Sequence, residues 1–215
     1  MKTLEKLQKF SSQYQELANT ITHGLGAVLS VIGLTYLIIW ANEAQDVWKL
    51  VSFSVFGTTL ILLYTASTLY HGTKAVELKK LFWKLDHMAI YLLIAGSYTP
   101  FTLVTLRGAW GWSLFGVIWG IALLGIVYKL FFIGRSKLFS VILYVSMGWM
   151  AIVAVQPFFE NLATGGLIWL GIGGLSYSLG VVFFVWEKLP FHHAIWHLFV
   201  LGGSICHFFA IGLYV

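Results

Sequence analysis

Long apolar runs and short polar connections alternate along the chain. Seven runs can be traced, each close to the roughly 20 residues that a helix needs to cross the hydrocarbon core of a bilayer. They cover residues 21–40, 47–70, 85–106, 110–129, 138–156, 165–186 and 193–215. The pattern predicts an all-α integral membrane protein, with an N-terminal segment at residues 1–20 and one seven-transmembrane helix bundle at residues 21–215.

The composition agrees with a membrane protein. Hydrophobic residues make up 59% of the chain and charged residues only 10%, whereas about 25% of the residues in a soluble domain are charged. The formal charge is +5, but the basic residues lie in short connections and form no stripe with interleaved aromatic side chains. We therefore expect membrane lipids as partners and no nucleic acid.

The distribution of lysine and arginine predicts the orientation of the bundle. Eleven of the 13 basic residues lie in the N-terminal segment or in the second, fourth and sixth connections, and only Lys49 and Arg107 lie on the other side. Short basic loops stay in the cytoplasm. The N-terminus is therefore expected to be cytoplasmic and the C-terminus extracellular.

Ionisable residues within the spans gather at one end of the bundle. His71 lies at the end of the second helix, Asp86 at the start of the third, and His193 and His197 at the start of the seventh. In the predicted orientation all of them lie in the cytoplasmic half. An aspartate inside a span is costly unless it faces the bundle interior and has a partner, which makes Asp86 a candidate functional residue.

The spacing of His193 and His197 suits a metal ion, because side chains at i and i+4 share one helix face. An isolated pair of this kind is more often one interfacial and one satisfied buried histidine. Ser67 and His71 repeat the spacing on the second helix, and Asp86 lies across the same connection. Three imidazoles with an acidic neighbour suit zinc, with a fourth position left for water.

Asp86 and Ser67 have two interpretations each. Asp86 either orients a water or a ligand imidazole, or acts as a general base. The Ser67 hydroxyl either bonds to the same water or bonds back to its own helix backbone. Both residues are therefore candidate catalytic groups that do not bind the metal directly.

A polar stripe on the first helix points toward the same end of the bundle. Glu16, Asn19 and His23 stand at i, i+3 and i+7 and share one helix face, which is either a support for the site or a solvated face of an interfacial segment. The remaining candidates are expected not to bind the metal. They are His87, His192, His207 and Cys206.

Taken together, three motifs resemble the progestin and adiponectin receptor superfamily, specifically its bacterial haemolysin III branch. They are Glu16-x-x-Asn19-x-x-x-His23, Ser67-x-x-x-His71 followed by Asp86, and His193-x-x-x-His197; the stretch 86–100 is also similar to the third helix of the family. The resemblance implies a zinc ion held by His71, His193 and His197, with a water between the metal and Asp86. It also implies a multi-pass protein of the bacterial cell membrane.

Three functions remain open. The similarity of the family to the alkaline ceramidases favours a zinc-dependent hydrolase of a lipid amide or ester, with Asp86 moving the proton. A sensor or regulator of membrane state with a structural zinc is the second, and a cytolytic, haemolytic pore is the third. A secondary transporter is disfavoured, because Pro100 is the only obvious internal helix breaker.

Overall fold

The computed structural model describes the backbone of residues 2–215 and the side chains from Ser12 onward. Over this part of the chain all regular elements are helical, and seven helices are long and apolar enough to cross a membrane. The prediction of an all-α protein with seven spanning helices is confirmed. The helices are α1 (Lys2–Glu43), α2 (Val47–Gly72), α3 (Val76–Thr105), α4 (Ala109–Phe132), α5 (Lys137–Asn161), α6 (Thr164–Val185) and α7 (His192–Tyr214).

Two helices begin before the apolar runs that predicted them. α1 is continuous from Lys2, and α3 starts at Val76, because both helices extend through polar residues that an apolar run does not include. The side chains of Lys2, Lys6 and Lys9, which contribute to the predicted orientation, lie outside the described residues. The division at residue 20 and the orientation remain predictions.

The central helices α2 and α3 are the most deeply buried. α2 packs along its length against α1 on one side and α3 on the other, while α7 pairs with α6 and also contacts α1. α5 makes fewer close helix contacts. The first and last helices are thus neighbours, and the end at which α2 finishes and α3 and α7 begin, called here the histidine end, carries the site.

α5 is broken near its middle, which corrects the prediction of Pro100 as the only internal breaker. A 3₁₀ segment at Met150–Ala154 separates two α-helical segments. Pro157 lies in the first turn of the second segment, where its missing N–H and its ring are tolerated, whereas in the middle of a continuous helix they would clash. The break therefore lets the chain accommodate this proline.

Tyr98 of α3 satisfies backbone groups that the break exposes. Its hydroxyl donates to the Gly148 carbonyl at 2.7 Å and accepts from the Ala151 N–H at 2.9 Å. In α3 itself the predicted irregularity is present, since the helix continues past Pro100 as a π-helical segment at Phe101–Thr105. Both irregular segments thus lie in helices that line the cavity described below.

Candidate metal centre

Three histidines from two helices converge at the histidine end. His71 lies in the last turn of α2, and His193 and His197 lie on one face of the first two turns of α7. Each offers one ring nitrogen, and these nitrogens all lie within 4.8 Å of one another. His71 and His197 are buried and His193 is half-buried. Together the three residues could hold a metal ion.

Side chains of α1 bond to one ring nitrogen, Nδ1, in two of these histidines. The Glu16 carboxylate lies 2.6 Å from Nδ1 of His71 and 3.1 Å from the ammonium of Lys79. Because a carboxylate only accepts hydrogen bonds, His71 donates from Nδ1. Nε2 of His71 then carries the lone pair. The Asn19 amide nitrogen also lies 3.4 Å from Nδ1 of His71.

Thr22 acts in the same way on His197. Its hydroxyl lies 3.1 Å from Nδ1 of His197 and 2.9 Å from the carbonyl oxygen of Ala18. The hydroxyl proton is used in the bond to Ala18, so Nδ1 of His197 donates and Nε2 is again the free nitrogen. Carboxylate and hydroxyl partners of this kind fix the orientation and tautomer of metal-binding histidines.

The nitrogens that remain free are those that a metal would need. Nε2 of His71, His193 and His197 is buried and has no hydrogen-bond partner among the described residues. Buried polar atoms are normally paired, and one ion bound among these three close-lying residues would give each of them a partner. Neutral imidazole is a preferred ligand of zinc and of several other transition metals. The donor set therefore fits a zinc ion.

Ser67 and Asp86 also lie at the histidine end. The Ser67 hydroxyl is buried without a partner in the described chain, whereas the neighbouring Thr68 hydroxyl bonds back to the Tyr64 carbonyl oxygen at 2.6 Å. The backbone-bonded alternative for Ser67 is thus not realised. Asp86 is buried on α3, and its carboxylate lies 3.5 Å from Nδ1 of His87.

His23 contacts the cluster through its ring. The imidazole stacks on that of His197, with centroids 3.4 Å apart and planes 13° apart, and meets the ring of Tyr64 edge-on at 4.9 Å. The structure therefore brings all three residues of the polar stripe next to the histidine cluster: Glu16 and Asn19 at His71, and His23 at His197. In this arrangement α1 forms one wall of the site.

The other histidines lie outside the three-histidine cluster. Nδ1 of His87 donates to the Trp83 carbonyl at 2.9 Å, and Nδ1 of His192 donates to the Phe183 carbonyl at 3.1 Å. His207 packs so closely against Gly173 that a Cβ atom there would lie 2.4 Å from its ring. These contacts are those of packing residues.

Two contributors to the site were missed from the sequence. Thr22 directly precedes His23 and stands three residues after Asn19, so a second i, i+3 step along the stripe from Asn19 would have included it. Lys79 was considered only as a topology signal. Its contact with Glu16 joins residues 63 positions apart, and no local pattern indicates such a pair.

A cavity of about 900 Å³ extends from the histidine end through the bundle. His71, Asp86 and His193 line one end, while Phe158 and Leu167, near the opposite ends of α5 and α6, line the other. Most of the wall between them is apolar. Its volume lies in the upper part of the usual range for small-molecule pockets, about 300–1,000 Å³.

Comparison with known proteins places this architecture in a family. The family model described as "Haemolysin-III related" matches residues 11–208. The chain is 52% identical to "Hemolysin-3" of Bacillus cereus over 94% of its length and 92% of the relative, and 48% identical to "Hemolysin-3 homolog" of Bacillus subtilis over 93% and 94%. It is also 32% identical to "Monocyte to macrophage differentiation factor" of Homo sapiens, over 94% and 85%. The chain is a multi-pass bacterial membrane protein that belongs to the haemolysin III family.

Proposed function

We propose that the protein is a zinc-dependent hydrolase of a lipid amide or ester, acting at the cytoplasmic side of the bilayer. The observation that carries this proposal is the set of three buried, unpaired Nε2 atoms beside a cavity that also contains the buried carboxylate of Asp86. Three protein ligands with an open position are typical of catalytic zinc, whereas structural zinc normally has four. A further acidic group near such a site suits proton transfer.

Each polar residue at the histidine end has a role in this reaction. His71, His193 and His197 would hold the zinc, with Glu16 and Thr22 keeping two of the imidazoles in the binding tautomer. Zinc bound there would supply Lewis acidity toward an acyl carbonyl and lower the pKa of water. Asp86 would accept a proton from water while the oxygen of that water bonds to the acyl carbon. Asp86 would then pass the proton to the departing nitrogen or oxygen. The Ser67 hydroxyl would hydrogen-bond the water.

The apolar wall of the cavity supports a lipid as substrate. An acyl chain placed along Phe158 and Leu167 would be surrounded by apolar side chains, while its carbonyl would lie among the polar groups at the histidine end. In the predicted orientation that end lies near the cytoplasmic interface, where a head group stays hydrated. The products would be a free fatty acid and an amine or an alcohol.

A zinc-stabilised sensor of membrane state is the second candidate. Its support is that the three histidines join α2 to α7 and that α1 contacts both, so a metal would tie three helices at one end. The names of the Bacillus relatives indicate a lytic activity for those proteins. A pore ranks third, since the cavity wall is mainly apolar and a water channel would require several copies of the chain.

The Asp86→Asn variant distinguishes the hydrolase proposal from the sensor proposal. Asparagine keeps the shape of aspartate but cannot accept a proton at neutral pH. In a hydrolase, Asp86→Asn retains the zinc while fatty-acid release from a lipid amide falls about 100-fold or more. In a sensor the wild-type protein releases nothing above background, and the substitution acts only by weakening zinc binding, by about 10- to 100-fold.

The measurement is fatty-acid release from lipid extracts by wild-type, zinc-stripped and Asp86→Asn protein, with zinc content determined on the same samples. Equal release by all three preparations would contradict the hydrolase proposal. Zinc content that falls with activity in Asp86→Asn would assign the residue to metal binding rather than to proton transfer.

A further inference from the structure

A lysine lies on the buried face of α4. The buried residues of this helix recur along one face, and Lys129 occupies its last position, with only 4% of its surface exposed. One turn earlier, Gly125 faces the ring of Tyr91 so closely that a Cβ atom would lie 2.4 Å from it. The close approach of α4 to α3 thus fixes the direction of Lys129 into the bundle.

The ammonium of Lys129 has a hydroxyl partner but no anion. Its Nζ donates to Oγ of Ser140 on α5 at 2.6 Å, and Ser140 bonds to the carbonyl of Ser136 at 3.0 Å. Among the described residues no carboxylate lies within 4 Å of Nζ. A cation within a span normally pairs or reaches the interface, because a lone buried charge is costly.

Lysines near span ends usually extend toward water. Lys137, eight positions later, follows that rule: its side chain is 43% exposed and pairs with Glu187. Both lysines line the large cavity, but Lys129 is the buried one of the two and lies beside Ser140. The same cavity is lined from α3 by the carboxylate of Asp86. Its polar groups therefore include a buried anion on the α3 wall and a buried cation on the α4 wall.

We propose that Lys129 and Ser140 bind the anionic group, a carboxylate or a phosphate, of a single-chain amphiphile whose apolar chain occupies the cavity. Charge-assisted hydrogen bonds to an ammonium supply the missing counter-charge. Repulsion by Asp86 directs the anionic group to the α4 wall, so the two buried charges orient the ligand. This inference concerns the charge of the ligand and holds whether or not the protein hydrolyses lipids.

The test is binding of oleate, oleyl alcohol and acetate to purified protein in nanodiscs of zwitterionic lipid. Lys129→Met removes the charge at nearly constant length, and Lys188→Met removes an exposed charge near the same end of the bundle as the matched control. Oleate in the bilayer also makes the lipid surface negative. Lys188→Met shows how much the loss of a surface charge alone changes oleate binding. We expect Lys129→Met to weaken oleate binding about 10-fold or more. Oleyl alcohol should bind both variants as it binds the wild type.

Three results would overturn the proposal. They are unchanged oleate affinity in Lys129→Met, equal weakening by Lys188→Met, and acetate binding as tight as that of oleate, which would indicate a site for small free anions. Lys129→Met is expected to fold, because replacing a buried charge with an apolar side chain is usually tolerated. If this variant does not fold, Lys129→Gln, which stays polar but uncharged, is measured against the same criteria.

Discussion

At the scale of single residues, the chemistry of the site depends on which nitrogen each imidazole leaves free. Glu16 and Thr22 bond to Nδ1 of His71 and His197, and this leaves both Nε2 atoms buried and unpaired. The candidate residue types were recognisable from the sequence, because histidines and an aspartate within spans are rare. The bond between Glu16 and His71, which spans 55 positions, depends on how α1 packs against α2 and was not predictable.

Removing a ligand tests the metal site. We expect His71→Ala, His193→Ala or His197→Ala each to lower bound zinc sharply, because two remaining imidazoles hold the ion poorly. Thermal stability should fall with the metal, since binding free energy contributes to folding. His87→Ala, which removes an imidazole bonded only to nearby groups on its own helix, is the matched control for zinc content measured by elemental analysis. Full zinc retention in a His193→Ala, His197→Ala double variant would exclude the site.

At the scale of helices, hydropathy predicts the number of spans well and their irregularities poorly. Each run of about 20 apolar residues corresponds to one helix, because the bilayer requires that length. The early start of α3 was missed because residues 76–84 include charged residues, although a helix can extend beyond the apolar core. The break in α5 was missed because the predicted span ended at residue 156, one position before Pro157, and because the bridge from Tyr98 to Gly148 and Ala151 is a tertiary contact that no local pattern indicates.

Tyr98→Phe tests whether that bridge stabilises α5. The substitution keeps the ring but leaves a carbonyl and an N–H without their partner, at a cost of about 1–3 kcal/mol. The melting temperature in detergent should therefore fall. Tyr36→Phe removes a hydroxyl from an exposed ring of α1 and serves as the control. Equal melting temperatures for the two variants would show that the bridge does not stabilise the protein.

At the scale of the whole molecule, the orientation in the membrane decides which compartment the histidine end faces. Eleven basic residues against two predict that the histidine end faces the cytoplasm. All three histidines lie at one end of the bundle, so one orientation decides which compartment the whole site faces. The basic residues act on the orientation during membrane insertion, and the packing of the folded helices does not depend on which side faces the cytoplasm.

Cysteine labelling tests the orientation. In a Cys206→Ser background, Leu78→Cys and Ser136→Cys introduce single thiols in two basic connections without removing a lysine or an arginine, and Ala44→Cys introduces one on the opposite side. An impermeant maleimide added to intact cells should modify position 44 but reach positions 78 and 136 only after permeabilisation. The reverse pattern would place the histidine end outside the cell and contradict the proposed cytoplasmic site.

The pairing of the first helix with the last also determines when the site is completed during biosynthesis. His71 and His197 are 126 positions apart in the chain, so at about 5–20 residues per second the ribosome needs roughly 6–25 s to make the segment between them. During that interval α1 and α2 are already made, while two of the three histidines are still missing. A metal bound by all three histidines would therefore be captured only after α7 has been made, and nascent or truncated chains that lack α7 would lack a complete site.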